Sequence, residues 1–360
     1  MNAFEHALVP ADEIGDASLQ LPAVFGQWAS RYIRGTGSGE LAHRYGVLAE
    51  AQAESGLRLV GLRMLGLERF HEGRFRESLV LVRKSLDIYD PVAHRDLASR
   101  FGHDPRAAAM NYETWILWHL GFPDQAVRTS EDNLRWTRQV NHATTTGLVL
   151  CFGINLSHIW MRQPARVESA AREALLLAEE MSMALWHAWA QIHLGWALSQ
   201  LGKASGLDEI KAGLHEAREI GAVRLEPLHL GIAADAYSRA GRHDEAKASI
   251  AEAFAALEHG GDLALAAELY RLRAELLTRA GARERGAVEA DLLRALEIAG
   301  QQEALSLQLR AARDLAALWA ERGERQQAAD LLAPIYGAFT EGFDTLDLVE
   351  SKALLDDLRN

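Results

Sequence analysis

Glycine recurs along this 360-residue chain at a spacing that few folds can use. Gly73, Gly121, Gly202, Gly241, Gly281 and Gly323 each follow one long amphipathic segment and precede another. From Gly202 onward the steps are 39, 40 and 42 residues, and the 81 residues from Gly121 to Gly202 make two such steps with one degenerate turn near Gln163-Pro164. Self-similarity at a fixed period is the signature of a repeat architecture, in which one supersecondary unit is copied along the chain.

The segments before the glycines, such as Leu185 to Leu201 and Leu263 to Ala280, carry apolar residues at helical spacing and are rich in Ala, Leu, Glu and Arg. Glycine ends the first helix because it accepts a left-handed backbone without a Cβ clash. Acidic residues such as Asp124, Asp208 and Asp244 then open the second, where a carboxylate meets the positive end of the helix dipole. Five residues after each glycine stands Ser78, Ala126, Leu207, Ala246, Gly286 or Ala328, small in every case but Leu207, as a close helix crossing requires. No stretch, including residues 144–154, sustains the period-two alternation of a strand.

A helical hairpin of this size cannot bury its apolar face alone and must stack on its neighbours. The expected fold is therefore all-α: a right-handed superhelical solenoid of antiparallel helix pairs with a period of about 40, its first helices lining the inner wall. Such an array should extend well beyond a sphere of its mass. Seven pairs are expected from Leu57 to Phe343, after a poorer one around Leu21 to Ala53. Residues 1–17 are expected to trail as an N-terminal tail, and residues 18–360 to form the single solenoid. Two additions interrupt the period. The 48-residue step from Gly73 to Gly121 predicts an extra helix at about 90–105, with Asp90 as cap, Pro91 as first residue and Gly102 as stop. A helix at about 345–358, capped by Asp344, should cover the last pair.

Four segments carry a resemblance: HRDLASRFGHDP at 94–105, LGFPDQA at 120–126, ELYRLRAELL at 268–277 and LLAPIYGAFTEGFDTLDLVESKALLDDL at 331–358. The helix pairs resemble tetratricopeptide repeats, in the longer form found in bacterial signal-transduction ATPases. The four segments resemble the C-terminal helical region of large bacterial proteins, where that region follows a class III nucleotidyl cyclase domain and an ATPase domain. The chain itself has no GxxxxGK[ST] and no strand with an acidic pair for metal. The resemblance implies regulation rather than catalysis, and it supplies no catalytic residues.

Other chemistry is weak in this sequence. His94-Arg95-Asp96-Leu97 resembles a kinase catalytic loop, but Phe101 stands where such a loop has its magnesium-binding Asn and no DFG follows. Gly35-Thr-Gly-Ser-Gly39 leads into a helix without the lysine of a phosphate cradle and reads as an interhelical loop. His187 and His193 lie on different helix faces, which argues against metal, and the single cysteine, Cys151, sits in an apolar run that predicts a buried, inert thiol. Lysine and arginine number 38 against 50 acidic residues, a net charge of −12, so a bulk electrostatic grip on nucleic acid or an anionic membrane is not expected. No apolar run approaches the ~20 residues that span a bilayer, and a cytoplasmic location is expected.

The candidate binding residues come from register. Seven of the nine tryptophans fall between residues 115 and 196. Asn111, Trp115 and Trp118 share one face of a first helix, and Trp189, Ile192 and Trp196 share the matching face two pairs later. Further along, that face turns charged with Asp235, Glu268, Arg271, Glu275, Arg310 and Arg313, and Arg63 adds a cation at the other end. These residues are expected to line a concave groove that binds a protein or peptide partner, such as a signalling enzyme. The alternative is a small-molecule sensor with an aromatic-lined inner pocket, which a compact closed pocket would favour over a long open groove. No enzyme activity and no cofactor are expected.

Overall fold

The amphipathic segments fold as helices, and the computed structural model, which describes residues 9, 10, 12–14, 16–260, 262–281 and 285–359, contains no strand among them. Among the described residues eight antiparallel pairs follow one another: α1 (Ala17–Ile33) with α2 (Gly39–Glu50), α3 (Ser55–His71) with α4 (Phe75–Ile88), then, after the short α5 (Leu97–Phe101), α6 (Pro105–His119) with α7 (Pro123–Val140). In the next pair α8 starts as Ala143–Leu148, passes through π-helical turns over Val149–Asn155 and ends as Leu156–Trp160, before α9 (Pro164–Glu180). There follow α10 (Ala184–Gln200) with α11 (Gly206–Glu219), α12 (Glu226–Arg239) with α13 (His243–Gly260), α14 (Ala266–Arg279) with α15 (Arg285–Gln301), and α16 (Leu305–Glu321) with α17 (Arg325–Gly337). The helix α18 (Leu346–Arg359) covers the last pair.

All six repeat glycines are left-handed, with φ between 68° and 89°. At the degenerate turn the same conformation falls on Arg162, at φ 59°. Small residues at the crossings behave as expected at Ser78, Ala126, Ala246 and Ala328, all buried. Leu207 is only half-buried, because its neighbour Gly206 makes the crossing: a Cβ there would lie 2.6 Å from the Gly195 carbonyl.

The insertion differs from expectation. Residues 91–96 form turns, and only Leu97–Phe101 is helical before Gly102 stops it at φ 76°. The Asp90 carboxylate accepts the N–H groups of Val92 and Ala93, so it caps a turn rather than a helix. Here the kinase-like stretch is structural, with the buried His94 hydrogen-bonded through Nε2 to Ser55 Oγ at 2.9 Å. The expected tail lies largely outside the described residues; Val9, Pro10 and residues 12–14 are helical, and Asp12 is paired with Arg44.

The larger surprise is the tightness of the winding. His71 meets Asp262, 191 residues on; Trp118 O accepts from Ser306 Oγ, 188 residues on; Arg162 meets Glu350, also 188 on. A constant offset of nearly five pairs means that the superhelix completes a turn and rests on itself. Ile33 O accepts from Arg224 N–H, and Glu341 accepts from both the backbone and the side chain of Gln125, along the same seam. The accessible surface of 15403 Å² is close to the roughly 14,300 Å² of a compact monomer of this mass. The solenoid is present, but the expected elongation is replaced by closure, since stacking along one axis does not prevent a short pitch from bringing successive turns together.

Between neighbouring helices, large side chains fill the core. Trp115, Trp189, Phe75 and Met64 are buried to 1% exposure or less. Side chains of α6 also reach carbonyls of α8: Trp115 Nε1 donates to Phe152 O in the π-helical part at 2.7 Å, and Asn111 Nδ2 to Leu148 O just before it at 3.3 Å.

Candidate functional site

Where the inner wall is not filled, a cavity of about 140 Å³ remains between the ends of α6, α8 and α10, the inner faces of α12 and α14, and the start of α16. One side is apolar. Trp118 and Trp160 stack at 5.3 Å with planes 20° apart, and Trp196, Ile159, Ile232 and Leu269 complete this wall. Trp118 and Trp160 reach the cavity because they lie in the last turn of their first helices, where the chain bends toward the next repeat.

The other side is one continuous ion network. Asp235 binds Arg239 and Arg279; Arg279 binds Glu275; Glu275 binds Arg271 at 2.8 Å; Arg271 also holds Glu268 at 2.8 Å and Asp314 at 2.9 Å. From there Glu268 leads to Arg310 and Asp314 to Arg313, and both arginines reach Asp347 of α18. Burial would raise the Glu275 carboxyl, but Arg271 and Arg279 outweigh it and bring it down to about 2. Burial likewise opposes ionisation of Asp347, and Arg310 and Arg313 overcome it, so its carboxyl stays below the ordinary range. Six arginines (Arg162, Arg239, Arg271, Arg279, Arg310 and Arg313) balance six carboxylates (Asp235, Glu268, Glu275, Asp314, Asp347 and Glu350). Pairing on this scale is what allows so many charges to line an interior.

Arg310 joins the two sides. Its guanidinium lies 4.8 Å from the centre of the Trp118 ring and donates to Trp160 O. His119 also lines the cavity; its Nδ1–H donates to Trp115 O at 2.7 Å, and burial brings its imidazole down to about 4, so it is neutral at pH 7. Away from the cavity, burial lowers His158 to about 4 and His229 to about 3.

Of the residues chosen by register, Trp118, Trp196, Asp235, Glu268, Arg271, Glu275, Arg310 and Arg313 line this cavity together. The remaining five do not. Asn111 bridges Asn133 and Leu148 O, Trp115 packs on Phe152, Trp189 packs between Phe152 and Trp186, and Ile192 lies against the position of Gly213. These are core side chains because they pack against the partner helix of their own pair and the first helix of the neighbouring one. Arg63 is equally buried but distant, beside Trp28 and hydrogen-bonded to His103 at 3.1 Å, and burial lowers its guanidinium to about 10. The cavity residues that register missed include Trp160, Arg162 and Asp347. The first two flank the turn without a glycine, where the sequence offered no anchor for counting, and Asp347 looked like part of a polar cover.

The architecture is that of a tetratricopeptide-type helical repeat protein. No family model matches the chain. Over 249 residues, 67% of its length, it is 30% identical to an uncharacterized protein of Rhizobium meliloti (strain 1021), of which the match covers 24%. The chain thus spans about a quarter of the curated relative it matches. Among solved structures it is similar to a Rap protein complexed with Competence and Sporulation Factor, with a TM-score of 0.58 and 11% identity over 94% of this chain and 98% of that one. It is also similar to a signal transduction ATPase with a tetratricopeptide repeat sensor from Pyrococcus horikoshii, with a TM-score of 0.49 and 12% identity over 97% of this chain and 50% of that one.

Proposed function

We propose that this chain is a non-catalytic regulatory module that takes a small amphipathic ligand, a small molecule or the end of a peptide, into its interior cavity and passes the occupancy on to a partner protein. The observation that carries this reading is the shape of the concave side: a partly open cavity of about 140 Å³ stands where a long groove was expected. A cavity of that size accommodates a benzene-sized group. It does not accommodate an extended segment of a folded partner. The stacked tryptophans would hold an apolar part of the ligand and the ion network a charged part.

Regulation can follow from the closed winding. The cavity walls belong to pairs that meet across the seam, so a ligand that prefers a wider or narrower cavity shifts the pitch of the whole superhelix. The reading in which the concave face holds a longer partner segment is favoured by one observation, the overall likeness to a Rap protein that was solved with Competence and Sporulation Factor.

Thermal-shift screening of amino acids, short peptides and aromatic acids tests the proposal. A ligand that stabilises the wild type, and no longer does so once Leu228→Trp fills the cavity, supports it. Ligands that stabilise both proteins equally place binding elsewhere and refute it.

A further inference from the structure

We propose that Asp347 and Glu350 are a built-in occupant of an arginine triad formed by Arg162, Arg310 and Arg313, and that the ligand carries carboxylates that take their place. This inference rests on the cavity reading above. All three arginines line the cavity, and they come from two separate parts of the chain, the turn after α8 and the helix α16. They converge on the first turn of α18: Arg162 reaches Glu350 at 2.6 Å, Arg310 reaches Asp347 at 2.7 Å and Arg313 reaches Glu350 at 2.5 Å.

The guanidinium groups of α16 are held by more than these carboxylates. Arg310 is fixed by the Trp118 face, by Trp160 O and by Glu268, and Arg313 by Asp314 at 2.8 Å. They stay aimed at the same point when Asp347 and Glu350 leave. Arg162 occupies a left-handed backbone position that glycine fills at the matching turns, and non-glycine residues held in such conformations carry strain that clusters at binding sites. Without Asp347 and Glu350 the balanced network would keep two surplus positive charges, the complement of a dicarboxylate.

The terminal helix is docked by Leu348 in its first turn and by Leu355 and Leu358 at its far end, while Leu346 and Val349 are exposed. For Asp347 and Glu350 to leave the arginines, the first turn has to lift Leu348 out of its packing while the far end stays docked. The ligand class is therefore a pair of carboxylates next to an apolar body that meets Trp118 and Trp160. A free dicarboxylic acid and the acidic carboxyl end of a peptide both have this chemistry.

The probes are glutarate and the tripeptide Leu-Phe-Glu, each beside its fully amidated counterpart, titrated calorimetrically into the wild type and into Asp347→Asn/Glu350→Gln. The expected result is that the acids bind the double variant about tenfold or more tighter than the wild type, through charge-assisted bonds to the vacated arginines, while the amides do not change. Preference for glutarate or for the tripeptide then identifies the source. Hydrogen exchange on the wild type is independent of the variant's folding: a saturating acid probe should speed exchange over residues 346–351 and leave α14 unchanged. Acid and amide binding equally in both proteins, or acid binding that leaves exchange at residues 346–351 unaltered, overturns the proposal and leaves the cavity reading standing. Failure of every probe, acid and amide, to bind either protein removes both.

Discussion

Acidification from pH 7 to pH 5 should strip this fold of much of its stability, and the histidines set the amount. His119 and His158 have folded-state values of about 4, and His229 of about 3, against 6.5 for a free imidazole, because burial penalises the charged ring. In the unfolded chain these rings take up protons as the pH passes 6.5; in the folded chain they do so only near 4 or below. Between those limits the unfolded state binds more protons, so stability falls as the pH falls. Each ring contributes a loss of about 1.8 kcal/mol between pH 7 and pH 5, and the three together about 5 to 6 kcal/mol. His71, His103 and His193 are lowered by burial too and add to this. The carboxylates do not offset it, since Glu275 at about 2 and the lowered Asp262 and Asp347 remain ionised at pH 5. Urea denaturation at both pH values and constant ionic strength, followed by tryptophan fluorescence and far-UV circular dichroism, measures the difference. His229→Gln should shrink the pH-dependent loss by about 2 kcal/mol. A change below about 1 kcal/mol in the wild type, or an undiminished loss in a variant lacking all three rings, would refute the assignment of neutral buried histidines.

Three further outcomes follow from the packing. Trp189→Ala should cost about 3–5 kcal/mol of unfolding free energy without affecting ligand binding, because the ring is wholly core; a stable variant would return Trp189 to the cavity surface. Arg271→Met leaves Glu268, Glu275 and Asp314 without their shared cation and should destabilise by about 3–5 kcal/mol at pH 7, measurable by chemical denaturation; a loss under about 1 kcal/mol would mean the network tolerates gaps. Small-angle scattering should give a radius of gyration near the roughly 21 Å of a compact chain of this length, and a markedly larger value would show the seam open in solution.

What was legible in the sequence was local. A left-handed turn announces itself through Gly73 or Gly241, and helical spacing gives the buried face of each segment, so the pairs and their order could be read directly. The turn at Arg162 could be placed only from the doubled interval around it. The cavity was half legible. Spacing puts Trp189 and Trp196 on one helix face, but which end of that face opens on a cavity depends on contacts made 190 or so residues away. No periodicity of residues encodes that offset. It arises from small rotations summed over nearly five pairs, and for the same reason Arg63 could be assigned to the inner wall while lying far from the charges it was grouped with.

Closure has a consequence for how such a protein can change over time. In an open array each unit touches only the next, and copies can be gained or lost at little cost. Here His71 is fitted to Asp262, Trp118 to Ser306 and Gln125 to Glu341, so duplicating one pair anywhere between Gln125 and Asp262 would offset every match by a full unit. The number of pairs is held fixed by geometry, as the number of staves is in a barrel, and diversification is confined to substitutions within pairs and to turns such as the one at residues 91–96.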